Sequence, residues 1–192
     1  MRRAFTYLTT TRGISRTVLA EFIKRRMIYE DRKYHNAVFV GYDKSGVARH
    51  AHKHGTFTGG KAFKGNEESS DPKYSFHWTG KSGRLYVFEA PIDLLSFLTL
   101  YQKEWEQHSY VALCGLSEQG LFQMLEDVPY IRQVALCLDR DRAGLQAEER
   151  IQKNLEGRGY REVFPLFPSG KDWNEDLQEL MAQGRRENLQ MQ

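Results

Sequence analysis

Residues 134–145 read Val-Ala-Leu-Cys-Leu-Asp-Arg-Asp-Arg-Ala-Gly-Leu, and this stretch decides the fold. An apolar run from Val134 to Leu138, stopped by charge, predicts a strand buried on both faces of a parallel sheet. Asp139 and Asp141 stand two apart, so extended backbone points both carboxylates to one side. From Ala143 to Leu155 the pattern turns helical, with Ala147, Ile151 and Leu155 spaced by four. Acids at the carboxyl end of such a strand lie where open α/β sheets place their sites. Two like charges this close repel unless a cation holds them, and hard oxygen ligands suit Mg²⁺ or Mn²⁺. The alternative reading is a solvated Asp-Arg-Asp-Arg turn in which the acids pair with their own arginines.

Outward from there, strands and helices alternate from Arg84 on. Leu85–Phe88 reads as a strand, and Pro91 to about Trp105 as a helix with proline allowed in its first turn. Tyr110–Cys114 is a second strand, and Ser117 caps a helix ending near Leu125. Arg132–Leu138 is the third strand, with its helix running to about Gly157. Val163–Phe167 is a fourth, and a last helix runs from Asp172 to about Gly184. This alternation predicts a mostly parallel sheet flanked by helices, with right-handed crossovers. The carboxyl ends of parallel strands share one edge. Glu89, Asp139 and Asp141 then meet there, with Lys171 nearby and Asp93 one helical turn beyond Glu89. Acids that hold a metal beside a lysine that offsets developing charge suit phosphoryl chemistry. Asp93 is equally readable as a local cap, and Asp172 and Asn174 as ordinary helix openers.

Residues 1–82 follow another pattern. Ser15 is placed to cap a helix whose stripe is Val18, Leu19, Phe22 and Ile23, with Ile14 and Leu19 as a hydrophobic staple. Lys24, Arg25 and Arg26 close its last turn, where the helix dipole favours cations. Asn36–Asp43 and Val47–Thr56 read as a hairpin around the turn Lys44-Ser45-Gly46. His50, His52 and His54 alternate, which predicts a polar strand face suited to touching phosphate. With no carboxylate or thiolate at fixed spacing, that face is less suited to a metal. Thr58–Asp71 reads as a loop and Lys73–Trp78 as a short strand. The chain thus divides into a small basic α+β domain, residues 1–82, and an α/β domain, residues 83–192.

The 192 residues are 40% hydrophobic and 12% aromatic, enough for a real core and against a disordered chain. No apolar run approaches the roughly 20 residues of a membrane helix, and the N-terminus lacks a secretory h-region. Two cysteines in apolar runs, without metal-ligand spacing, point to a reduced, cytoplasmic protein. The net charge of +3 conceals an asymmetry. Residues 1–64 hold 14 Lys/Arg against 4 Asp/Glu, whereas residues 65–192 hold 14 against 21. The basic front half is either a phosphate-backbone surface or a solvated face that docks on the acidic half. Under the first reading Arg49, Lys53, Lys61, Lys64 and Lys73 are the candidate nucleic-acid contacts.

The segments FEAPID (88–93), LDRDRAG (138–144) and GKDWNEDL (170–177), in that order, resemble the TOPRIM domain of bacterial primases, topoisomerases and some nucleases. The likeness covers about residues 84–180, with VALCGLSEQ (111–119) fitting the element between the first two motifs. It implies a TOPRIM-like fold in which Asp139 and Asp141 bind Mg²⁺ (or Mn²⁺) and Glu89 is the general acid or base. YLTTTRGIS (7–15), residues 36–56 and SSDPKYSFHW (69–78) resemble a domain of unknown function that precedes Toprim-like domains in plasmid and conjugative-element proteins. The resemblance implies primase-like phosphoryl or nucleotidyl transfer on nucleic acid, DNA ahead of RNA, with a helicase or zinc-finger segment as a partner. The same fold also serves nucleases, and a non-catalytic nucleic-acid-binding module is the reading from another class.

Overall fold

The computed structural model describes residues 1–60, 62–115 and 117–190. At the front, α1 (Arg2–Thr6) runs into a π-type turn over Tyr7–Thr11. Ser15 then precedes α2 (Arg16–Lys24), where its hydroxyl meets that of Thr17 at 2.7 Å instead of capping the helix. Ile14, Val18, Leu19 and Phe22 are all buried, so the expected apolar stripe faces the core. An antiparallel sheet follows in the order β1 (Ile28–Glu30), β2 (Ala37–Tyr42), β3 (Ala48–His54) and β4 (Lys64–Asn66). The β2–β3 hairpin forms as its alternation predicts. β4 lies inside the stretch read as a loop. Its residues Lys-Gly-Asn carry no apolar alternation, and backbone pairing with β3 alone defines it.

The histidine face needs correction. His50, His52 and His54 do share one side of β3, but it is the inner side, where His54 opposes Ala37 and His52 opposes Phe39. All three are buried, at 3%, 6% and 3% exposure, and so are not a solvent-facing phosphate surface. Burial, as the main cause, pushes His50 and His54 down to about 4, which keeps them neutral.

The second sheet contains β5 (His77–Trp78), β6 (Arg84–Phe88), β7 (Ser109–Ala112), β8 (Gln133–Leu136) and β9 (Glu162–Pro165), in the spatial order β5-β7-β6-β8-β9. The last four are parallel, as their alternation with α3 (Pro91–Leu100), α4 (Gln119–Asp127), α5 (Arg142–Gly157) and α6 (Trp173–Gln190) predicts. β5 adds an antiparallel edge from the chain's front half. The expected strand over 73–78 shrinks to these two residues, because Pro72 opens a 3₁₀ turn (Pro72–Tyr74) capped by Asp71. α3 ends at Leu100, with Trp105 in a separate 3₁₀ turn, and α4 is led by Glu118 and not by Ser117.

Side chains alternate across this sheet. Leu85, Val87, Val111, Val134 and Leu136 pack on one face with Leu121 and Met124 of α4 and Ala147, Ile151 and Leu155 of α5. Phe88, Tyr110, Ala112, Ala135 and Cys137 pack on the other with Leu94, Phe97, Trp173 and Leu177. That second cluster also contains Leu8, Leu19, Phe22, Phe39 and Phe76, so both sheets share one apolar core. Cys137 is buried and Cys114 half-buried, both as free thiols. No helix among the described residues is long and apolar enough to cross a membrane.

The 3₁₀ turn packs closely on the front sheet at Gly41 of β2, where a Cβ would lie 1.7 Å from the carbonyl oxygen of Tyr74. Gly41→Ala is expected to lower stability by about 1–3 kcal/mol through overpacking. Gly157→Ala, where a Cβ meets nothing within 4 Å, should be neutral or stabilising. Urea unfolding of both variants checks this, and equal midpoints would show that the contact yields freely.

Candidate active site

In the parallel part of the sheet, β6 sits between β7 and β8, so successive crossovers leave it on opposite sides. The carboxyl ends of β6 and β8 therefore flank the point where strand order reverses, the crevice in which open α/β sheets bind ligands. Val87 pairs with Leu136 there, so Glu89 and Asp139 leave neighbouring strands on the same edge. Asp141 follows as the N-cap of α5, in extended backbone, with its Oδ1 accepting from the N–H groups of Ala143 and Gly144 at 3.0 Å each. Gly144 is required, because a Cβ at that position would lie 2.1 Å from the carbonyl oxygen of Asp139. This is the physical content of the Ala-Gly pair after the Asp-x-Asp.

The loop after β9 closes the site. Asp176 accepts from the Ser169 and Gly170 N–H groups at 2.7 Å each, and Asp172 Oδ1 from that of Glu175 at 2.8 Å. The Arg140 N–H donates to the Lys171 carbonyl at 2.7 Å, tying this loop to the Asp-Arg-Asp loop. Lys171 Nζ then stands 3.6 Å from Asp141 Oδ2, and Arg140 turns to the Ser169 carbonyl. Among the described residues, neither aspartate is paired with Arg140 or Arg142. The self-neutralised turn is not what forms.

The electrostatics follow. Burial raises the Asp139 carboxyl to about 7, with Glu89, Asp172 and Asp141 adding to the effect. Burial and then Asp141 raise Glu89. Asp93, on the first turn of α3, is buried and raised well above the usual range by burial and then by Asp139 and Asp172. Asp141 moves down, chiefly through its bond from Gly144, and it raises Lys171. Asp139 Oδ1 is buried with no hydrogen-bond partner. An orphaned buried carboxylate oxygen beside further acids is a donor set that a hard divalent cation fits. No three His, Cys, Asp or Glu side chains among the described residues are gathered to hold a metal on their own.

Asn174, read only as a helix opener, joins the two halves. Its N–H reaches Asp93 Oδ1 at 3.3 Å, and its amide reaches Ser96 Oγ at 2.9 Å and the Arg12 carbonyl at 2.8 Å. Arg12 donates to Asn174 Oδ1 at 3.0 Å and to the Tyr7 hydroxyl at 2.7 Å, and Tyr7 stacks on His54. Tyr7 and Arg12 lie in the stretch 7–15 that carries the front-half resemblance, but their role is visible only in the fold.

The basic candidates among the described residues lie on different elements. Lys64 pairs with His54 across β4–β3, and its charge acts on Glu89 and Asp93. Arg49 sits towards the other end of β3, bound to Asp43 Oδ2 at 2.7 Å. Lys53 is ion-paired with Glu67, Lys73 is exposed on the 3₁₀ turn, and Lys61 lies outside the described residues.

Residues 86–177 match the Toprim-like family and residues 6–82 a protein family of unknown function, DUF3991. The chain thus carries a Toprim-like domain preceded by a DUF3991 domain. An uncharacterized protein of Bacillus anthracis, pXO2-78, is 29% identical over 96% of this chain. The Mycoplasma pneumoniae homolog of the uncharacterized protein MG010 is 29% identical over 53%. The matched regions cover 61% and 46% of those two proteins. Among solved structures, the primase fragment of the bacteriophage T7 primase-helicase protein aligns with 91% of this chain and 71% of its own (TM-score 0.65, 20% identity). The DnaG primase catalytic domain bound to ssDNA aligns with 98% and 71% (TM-score 0.62, 17% identity). At such identity these structures share the fold, in both halves of the chain.

Asp139 sets a pH signature in the metal-free protein. Its folded pKa, about 7, lies above the ordinary 3.8, so the folded state holds this proton more tightly than the unfolded chain does. The associated stability is present below pH ~4 and lost as pH rises through 7. Asp139→Asn, neutral throughout, is expected to be more stable than wild type by ~2–4 kcal/mol at pH 8 and nearly equal at pH 4. Urea unfolding in EDTA across that range measures it. Parallel curves for the two proteins would mean that Asp139 carries no such strain.

Proposed function

We propose that this chain performs metal-dependent nucleotidyl transfer on nucleic acid, as a primase-type catalytic unit. The observation that carries the reading is the unpartnered, buried Oδ1 of Asp139, beside Glu89 at the switch point of the parallel sheet. Asp139 and Asp141, with Asp93 beneath, would hold Mg²⁺ or Mn²⁺. Such an ion, when bound, polarises a phosphate and offsets its charge. Glu89, half-buried and raised above the usual carboxylate range, is suited to take the proton from an attacking hydroxyl. Lys171, more than half exposed and held at the edge by the Arg140 contact, is free to meet a phosphate in place of Asp141. Lys64 adds a second cation from the front sheet. Template and nucleotide as substrates are supported by the structural neighbours, one of them a primase domain bound to ssDNA. A helicase or zinc-finger segment as partner belongs to the same proposal. A nuclease would use the same residues, with water as the attacking group.

Calorimetric titration of Mg²⁺ and Mn²⁺ tests the donor set. Wild type should bind an ion, and Asp139→Asn/Asp141→Asn should lose more than the roughly 10- to 100-fold typical of an outer-shell change. Glu89→Gln should keep ion binding and lower turnover by about 10²- to 10⁴-fold in ribonucleotide incorporation on a single-stranded template. Shortening of that template without incorporation would select the nuclease. Absence of ion binding, even with template and nucleotides present, would remove the enzyme reading.

A further inference from the structure

The end of the front sheet nearest the acidic edge carries a second feature. A cleft of about 520 Å³ opens there, lined by Arg3, Tyr34, Phe57, Ala62 and Phe63 among others, with no acidic residue among the described residues of its wall. Three of its aromatic side chains are largely in solvent: Tyr34 at 65% exposure, Phe57 at 63% and Phe63 at 56%. Large exposed rings gathered in one concavity mark a binding surface more than a folding need. The rings are held in place by backbone. The Gly55 N–H donates to the Phe63 carbonyl at 2.7 Å, closing the β3–β4 loop, and Thr56 Oγ1 donates to the His35 carbonyl at 3.0 Å. Lys33 Nζ lies 4.9 Å from the centre of the Tyr34 ring. Lys64, next in sequence to Phe63, is the residue whose charge reaches Glu89 and Asp93.

Resting on the nucleic-acid reading above, we propose that this cleft holds an unpaired base of a single strand running to the acidic edge, with Arg3 and Lys64 on its backbone. The observations favour this occupant over others. Exposed aromatic faces interleaved with cations are what a single strand uses, through base stacking and phosphate contact. A duplex keeps its bases stacked inside and offers no free face to a cleft of this size. An apolar peptide or acyl chain would gain nothing from the surrounding cations. The cleft volume lies within the ~300–1,000 Å³ of small-molecule sites, room for a base and its sugar. Lys64 follows Phe63 and its charge acts on Glu89 and Asp93, so a strand seated here would meet a cation on its way to the acidic edge.

The test is fluorescence anisotropy in EDTA with a fluorescein-labelled oligothymidine of about twelve nucleotides, within the span of single-strand sites. Phe57→Ala/Phe63→Ala is expected to weaken binding roughly 10- to 100-fold. The dependence on salt should stay unchanged, because the phosphate contacts remain. An abasic strand of the same length should bind wild type as weakly as the intact strand binds the double variant. Lys64→Gln should instead flatten the salt slope by about one unit. Both rings are exposed, so the double variant is expected to fold, and an unchanged Mg²⁺ titration verifies its intact acidic edge. Equal affinity of wild type and the double variant for the strand, or tighter binding of duplex by wild type, overturns the assignment of the cleft. If wild type binds neither single strand nor duplex, the nucleic-acid reading itself fails.

Discussion

Electrostatic repulsion among carboxylates at one sheet edge is the constraint on which the rest of the structure depends. Glu89, Asp139, Asp141 and Asp172 each raise at least one neighbour's pKa, and Asp93 lies buried beneath them. Nothing local would bring these acids together; the alternation of strands and helices forces them to meet, because parallel strands end on the same side. The cost is met by apolar burial on both faces of the sheet. It is partly offset at the edge itself, where the N-terminus of α5 takes Asp141 and Lys171 stands against it. Asp139 has no hydrogen bond to its Oδ1, and burial first, then the neighbouring acids, carries its pKa to about 7 against the pull of Lys171. A group stabilised last by the fold is the one most ready to take an external cation.

The front half is more than an appendage to that edge. Its sheet contributes Phe39 and the helix α2 to the same core that holds Phe88 and Trp173. The buried chain from His54 through Tyr7, Arg12 and Asn174 to Asp93 sets its orientation with directional bonds, which apolar packing alone does not do. Every member of that chain has a partner, so the network fixes the geometry without an unsatisfied charge. Its consequence is positional. The sheet end that carries His54 and Lys64 is presented to the acids, and the cations and exposed rings of that end come with it.

Much of this was legible in the sequence because burial and chain direction were written in short runs. Val134–Leu138 read as a two-sided strand, and parallel strands then bring the acids after it and after Phe88 to one edge. The unread parts have physical reasons too. The alternation of His50, His52 and His54 gave the correct shared face but the wrong side, since histidine is as compatible with a satisfied or neutral core position as with solvent. β4 is a strand by virtue of its partner β3 and has no side-chain pattern of its own, whereas the strand read over 73–78 survives only as β5. Asn174 read as a helix opener because its function is spent on residues 162 positions away. The rings of Phe57 and Phe63 lay in a glycine-rich stretch, where aromatic residues are themselves the only signal.

The Asp-Arg-Asp-Arg run shows why local charge pairing is a poor guide. Extended backbone sends successive side chains to opposite sides, so an arginine between two aspartates points away from both. Asp141 is in that extended conformation as the N-cap of α5, and Arg140 accordingly turns to the carbonyl of Ser169. The Arg140 N–H, not its side chain, serves the site, because it anchors the carbonyl of Lys171. The cation against Asp141 therefore arrives from thirty residues downstream, through a loop tied down by Asp176. A cation brought by a loop is exposed and exchangeable, whereas an adjacent arginine would have neutralised the acids permanently. The edge is left unneutralised by its own arginines.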